Sequence, residues 1–264
     1  MKIDRGDAPA EADAAPPAPN LPYGRSLIAA VLVAASVGCA EGESLSVEQV
    51  IDNMLAATAP ERSRNAIQSL TTTADCMGPD GEFETTVTSI RPDTVYFRQA
   101  SARAITEIWS TPERTWGGNA GEEYELLTPR VRDFIRAQEF HLMIIDLKTR
   151  FADFELLGRQ ETGGQDCLGV SMQDDAGGDA FLCVRTDNWL PVELRLDRES
   201  ATGPVRITFE DWRDTDGLNL FHSMQVIEDP DRVFTYDFVD ISVNTFAYEM
   251  RVPPPEMPKV RRGD

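Results

Sequence analysis

Val205-Arg-Ile-Thr-Phe-Glu-Asp-Trp212 decides the fold. Val205, Ile207 and Phe209 point one way, and Arg206, Thr208 and Glu210 the other, which is the period of a strand with one dry face and one wet face. Val192-Glu-Leu-Arg-Leu-Asp197 and Val233-Phe-Thr-Tyr-Asp-Phe238 repeat the pattern. Val192, Leu194 and Leu196 are expected together, as are Phe234, Tyr236 and Phe238. Strands buried on one side belong to an antiparallel sheet, whose dry face needs a cover.

Upstream, the hairpin Gln165–Met172 and Ala180–Arg185 surrounds the turn-rich Asp174-Asp-Ala-Gly-Gly-Asp179. Thr85–Ile90 and Thr94–Arg98 read as strands joined by the turn Arg91-Pro92-Asp93. Ala104–Ser110 is a further strand, and Thr115 and Trp116 lie in another, before a break at Gly117-Gly118-Asn119. Two segments carry helical spacing. In the first, Val47, Val50, Ile51, Met54 and Leu55 form a stripe, with Ser46 and Gln49 placed as a capping box and Pro60 as the stop. In the second, Arg130–Phe151, the residues Val131, Phe134, Ile135, Leu142, Ile145 and Leu147 share one side. The expected fold class is α+β: a strongly curved antiparallel sheet, an incomplete β-barrel, covering a helical lid.

Residues 1–24 are rich in Ala, Pro and acidic side chains and read as a disordered leader, of the kind a mis-called start would add. Arg25 and the apolar run Leu27–Ala35 follow, too short to span a bilayer but of signal-peptide length. Gly38-Cys39 closes residues 25–38 and resembles a bacterial lipobox, which implies lipidation at Cys39; the alternative is a plain secretory signal. Residues 39–43 would be a tether, 44–256 the folded domain and 257–264 a loose tail. Export implies an oxidising compartment for Cys76, Cys167 and Cys183.

The 264 residues carry 25 Lys and Arg against 45 Asp and Glu, a formal charge of −20. Such a chain is a poor partner for nucleic acid or for an anionic membrane surface without an anchor. Two histidines and four cysteines leave little for a metal site, and none is expected. Cys167 and Cys183 are equidistant from Asp175 and would face each other as a cross-strand disulfide. Cys76 is then either a free buried thiol or an exchange partner. Asp174, Asp175 and Asp179 read as turn residues, not calcium ligands, and His141 and His222 as ordinary surface or core histidines. Nucleophile, P-loop and dinucleotide signatures are lacking, so neither an enzyme nor a cofactor is expected. The positive signal is apolar: Val95, Phe97, Trp109 and Trp116 early, and Val205, Ile207, Phe209, Phe234, Tyr236 and Phe238 late, joined by Leu142 from the helical segment.

The order of these features resembles the LolA/LolB-like lipoprotein-sorting superfamily, which includes RseB/MucB regulators and LppX/LprG lipoproteins. The resemblance covers about residues 44–256. It rests on Arg91-Pro92-Asp93 with Val95-Tyr-Phe97, Pro112-Glu-Arg-Thr-Trp116, Trp189-Leu-Pro191 and Asp211-Trp-Arg-Asp-Thr-Asp-Gly-Leu218. Val243-Asn244 with Phe246 completes it. It implies an apolar cavity for acyl chains or lipoproteins, with Arg91 in the position of a gating arginine. The implied protein is lipid-anchored on the periplasmic side of the outer membrane and acts in lipoprotein sorting or lipid transport. The alternative is a sensor or interaction module of the RseB/MucB kind, with an envelope protein as partner and no lipid transfer.

Overall fold

The computed structural model describes residues 45–174, 177–197 and 204–245, all within the unit Glu43–Asp264. The leader, the lipobox with Cys39, Phe246 and the tail lie outside the described residues.

Helix α1 (Val47–Thr58) begins as its capping box requires. The Gln49 N–H donates to Ser46 Oγ at 3.3 Å, and the Ser46 N–H donates to Gln49 Oε1 at 2.8 Å. Its stripe of Val50, Ile51, Met54 and Leu55 is buried. Pro60 breaks the helix and caps the short α2 (Glu61–Ala66). Six strands follow: β1 (Ser69–Gly78), β2 (Gly81–Ile90), β3 (Thr94–Ser101), β4 (Ile105–Ser110), β5 (Thr115–Asn119) and β6 (Glu125–Leu126). A helical crossover of α3 (Pro129–Arg136), α4 (Phe140–Ile145) and α5 (Leu147–Arg150) leads to seven more. These are β7 (Phe151–Thr162), β8 (Gln165–Asp174), β9 (Asp179–Arg185), β10 (Pro191–Leu196), β11 (Val205–Thr215), β12 (Leu218–Asp229) and β13 (Arg232–Val243).

Among the described residues the thirteen strands form one unclosed antiparallel sheet, with β6 at one edge and β7 at the other. Neighbours in the sheet are neighbours in sequence at every ladder except β1–β13. That ladder is fixed at its end by Asn244, whose φ is 58°. Its Oδ1 accepts from the Gln68 N–H at 2.6 Å and the Ser69 N–H at 3.2 Å, and its Nδ2 donates to the Ala66 carbonyl at 3.0 Å. Asparagine tolerates a left-handed backbone and supplies both hydrogen-bond roles at once.

The main core lies between the sheet and α1, α4 and α5, with Met54, Ile144, Leu147, Leu194, Ile207 and Phe221 among its fully buried members. A second cluster joins Ile67 and Leu70 to Leu142, Ile145, Leu218 and Leu220. A third, smaller one packs Ile135 of α3 on Val87, Val95, Phe97 and Ile108.

Several expectations need correction. The stretch 130–151 is three short helices, and Phe134 is 54% exposed, not on the buried side. Gly117-Gly118-Asn119 is part of β5 rather than a break. A Cβ on Gly117 would sit 2.6 Å from the Glu107 carbonyl oxygen on β4, so glycine is what lets the strands approach. Strand β7 had no counterpart in the pattern. Val192 does not join Leu194 and Leu196. A bulge between Pro191 and Glu193 turns it into a separate cluster with Cys167 and Cys183.

Candidate ligand-binding site

Pairing register assigns each apolar residue to a face. In β1, Leu70, Ala74 and Cys76 face the core, and regular pairing carries that face to Val87 in β2 and to Val95 and Phe97 in β3. Phe97 pairs with Ile108, so Ile108 follows. Tyr96 pairs with Trp109, and Trp109 with Trp116, which puts this aromatic row on the opposite, outer face. The structure therefore separates Trp109 and Trp116 from Val95 and Phe97. On the outer face the Tyr96 and Trp109 rings meet at a tilt with centroids 4.6 Å apart, and the hydroxyls of Tyr96 and Tyr124 both donate to Glu107. Burial and that carboxylate push the Tyr124 hydroxyl up to about 12.

The other expected residues share the inner face. Ile207 and Phe209 are buried in the main core with Tyr236 and Phe238, and Val205 and Phe234 pack at its margin. Leu142 lies at the boundary between the two halves of the sheet, in the cluster with Leu70.

At that boundary a cavity of about 400 Å³ opens between α2, the β2–β3 turn and the helices α3–α5. Its apolar lining is Ile90, Pro92, Val95 and Leu142. Its polar lining includes Arg64, Arg91, Arg136 and Arg150 with Asp93, Glu139 and Asp146. Arg91, the residue expected in a gating position, lies here. Its Nη2 meets Asp146 Oδ1 at 2.5 Å, and its Nη1 donates to the Arg64 carbonyl at 3.0 Å. The turn between two strands is thus tied to the junction of α4 and α5 and to α2. Arg136 pairs with Asp93 at 3.1 Å and Arg150 with Glu139 at 2.7 Å. Around the cavity the helical cover is held by these ion pairs together with Ile135 and Leu142, whereas over the β7–β13 half it is held by extensive apolar packing.

Solved structures with the same architecture exist. The LolA superfamily protein NE2245 from Nitrosomonas europaea aligns over 80% of this chain and 99% of its own, with a TM-score of 0.56 at 12% identity. The chain has a LolA-like fold. A DUF1329 family protein from Desulfovibrio piger aligns over 78% of this chain and 96% of its own, with a TM-score of 0.55 at 15% identity. A domain described as an outer membrane lipoprotein-sorting protein, from Vibrio parahaemolyticus, aligns over 78% and 94%, with a TM-score of 0.52 at 10% identity. No family model matches the chain, and no curated protein sequence matches it.

Within the LolA-like sheet, the turn motifs have local causes. Asp216 and Gly217 take φ of 54° and 77°, the conformation a two-residue hairpin turn demands. Trp189 has φ 60°, and the Asn188 side chain accepts from the Leu190 N–H at 3.0 Å. Cys167 and Cys183 are bonded, with Cα atoms 5.6 Å apart. They are not directly opposite, because Gly169 faces Cys183 and Cys167 faces Arg185, so the bridge runs diagonally on the outer face. Asp174 closes the hairpin turn by accepting from the Gly178 N–H at 2.8 Å. Cys76 is free and buried on the inner face, away from the disulfide. Burial pushes its thiol up to about 12, which suits an inert core residue.

His141 is a core histidine. It stacks on Phe221 with ring centroids 3.9 Å apart, and its Nε2–H donates to the Phe221 carbonyl at 2.9 Å. Burial holds its pKa down at about 3, so it stays neutral. His222 is half-buried, and its Nδ1–H donates to the Phe238 carbonyl at 3.3 Å. Among the described residues no group of His, Cys, Asp and Glu is arranged to hold a metal. Sequence reasoning missed Arg64 of α2, Arg136 of α3, and Asp146 and Arg150 at the two ends of α5, which the fold brings together.

Proposed function

We propose that this protein is a lipid-anchored component of the bacterial envelope that binds acyl chains, free or carried by a lipoprotein, beneath its helical cover. It would be anchored through Cys39 on the periplasmic side of the outer membrane and serve lipoprotein sorting or lipid transport. No bond is broken and no cofactor is used. The observation that carries the reading is the cavity of about 400 Å³ at the boundary of the two halves, where ion pairs supplement a thin apolar contact in holding the cover. Rupture of Arg91–Asp146 would release α4 and α5 from the β2–β3 turn and open a path to Val95, Phe97 and Leu142. Phe209, Tyr236 and Phe238, with Val205, Ile207 and Phe234, lie farther along the same face within the packed core, and a longer acyl chain would reach them only if the cover lifts there too. Each methylene buried there contributes about 0.8 kcal/mol. Trp109 and Trp116, being on the outer face, are left out of the proposed lining.

Native mass spectrometry of the full chain purified from cells tests this. Co-purified lipid or acylated peptide that is lost on denaturation is the expected result. A clean apo mass, with no uptake of a fluorescent fatty acid, would mean that the inner face is filled core. The protein would then be an interaction module of the envelope built on the same fold.

A further inference from the structure

The charge of the cavity runs against the charge of the molecule. Acidic residues outnumber basic ones 45 to 25 over the chain. In the cavity four arginines meet three carboxylates. Three of those arginines have partners: Arg91 with Asp146, Arg136 with Asp93, and Arg150 with Glu139. The guanidinium of Arg64 has no carboxylate partner among the described residues, although its backbone carbonyl is taken by Arg91. Arg64 is half-buried. Arg136 and Asp93 are each about a third exposed, and a guanidinium with five N–H donors is not saturated by one carboxylate contact. A half-buried guanidinium surplus attracts an oxyanion more strongly than a fully hydrated one, and its planar fork fits phosphate or carboxylate oxygens in pairs.

Beside these donors lie Ile90, Val95 and Leu142. We infer that the cavity binds the anionic oxygen group of an amphiphile, a phosphate ester or a carboxylate, between Arg64 and Arg136. The first methylenes of that amphiphile lie against Ile90, Val95 and Leu142. This rests on the acyl-chain reading above and adds the chemistry of the head. Its volume suits a head and the start of a tail, since small-ligand sites run from about 300 Å³ upward.

The test is calorimetric titration of the full chain with octyl phosphate, octyl glucoside and inorganic phosphate, repeated on Arg64→Gln. The Arg64 side chain makes no hydrogen bond or ion pair among the described residues, and circular dichroism of the variant checks that it folds. Octyl phosphate is expected to bind at least about tenfold more tightly than octyl glucoside, to weaken as salt rises, and to lose about tenfold in Arg64→Gln. Arg64→Lys should restore part of that loss. Inorganic phosphate binding as tightly as octyl phosphate, and lost in Arg64→Gln, would keep the anion site. It would make free phosphate its ligand and overturn the amphiphile. Equal binding of octyl phosphate and octyl glucoside, unchanged in Arg64→Gln, would overturn the anion site and leave the acyl-chain reading standing. Binding of none of the three would overturn both.

Discussion

The two halves of the sheet are built alike and covered differently. Strands β7–β13, with β1, hold α1, α4 and α5 on a continuous apolar core in which Phe221 touches His141, Phe209, Trp212 and Phe238. Strands β2–β5 are covered by α3, through Ile135 and partly buried Val131, and by Leu127 just ahead of that helix. The first half is a solid body. The second is a thin cover, and the cavity lies where the two meet. A binding protein needs both: one region that stays fixed, and one that opens at low cost.

The sharpest break in that comparison would come from Phe221→Ala. Truncation of a fully buried phenylalanine in a packed core is expected to cost about 3–5 kcal/mol, read by urea denaturation. Ile135→Ala should act locally, with hydrogen exchange rising in α3 while the β8–β12 amides stay protected. A global loss equal to that of Phe221→Ala would erase the distinction. Next is the disulfide. Replacing Cys167 and Cys183 by serine releases a loop with sequence separation 16, a loss of about 3 kcal/mol in the packed half.

His141 gives a pH signature of the same half. Its pKa is about 3 in the fold and 6.5 when free. The unfolded chain therefore binds the proton first, and stability falls as pH drops below about 6.5. By pH 5 the loss attributable to this residue is about 2 kcal/mol. His141→Gln should remove that part of the slope, measured as Tm against pH between 7 and 5. The smallest effect belongs to the boundary. Arg91→Gln should cost about 1 kcal/mol or less globally, yet raise hydrogen exchange selectively in α4 and α5. Uniform exchange across the molecule would show that the Arg91–Asp146 pair is not a local latch.

What could be read in advance follows from where the physics is local. The capping box at Ser46 and Gln49 involves neighbours in sequence, and α1 begins there. Alternation across Val205–Phe209 survives because that stretch is free of bulges. It fails at Val192, where one inserted residue reverses the face, and nothing in the sequence marks the insertion. Strand β7 was invisible because it is an edge strand with a mostly exposed surface and left-handed residues at Asp153 and Gly158. The break between α3 and α4 was hidden because Ile135 and Leu142 keep helical spacing across it. Trp109 and Trp116 went to the outer face by one step of register, which the β3–β4 turn sets and hydrophobicity does not. The cavity was the least legible feature. Arg64, Arg91, Arg136 and Arg150 stand on different segments, and only Arg91 had a motif to point to it.

The β1–β13 ladder has a consequence for the order of the chain itself. The Asn244 N–H donates to the Ser69 carbonyl at 2.9 Å, so the ends of the sheet's two runs of strands already touch. Linking the end of β13 to the start of α1, and cutting instead between β6 and α3, would give a circular permutant in which β13 is followed by α1, α2 and β1, and the strands otherwise follow one another in sheet order. All ladders would then be short-range. In the natural order, each run can zip from its own hairpins, but closing β1 onto β13 must wait for segments more than 150 residues apart. Since loop closure over long separations slows folding, the permutant should fold faster while keeping the same cavity.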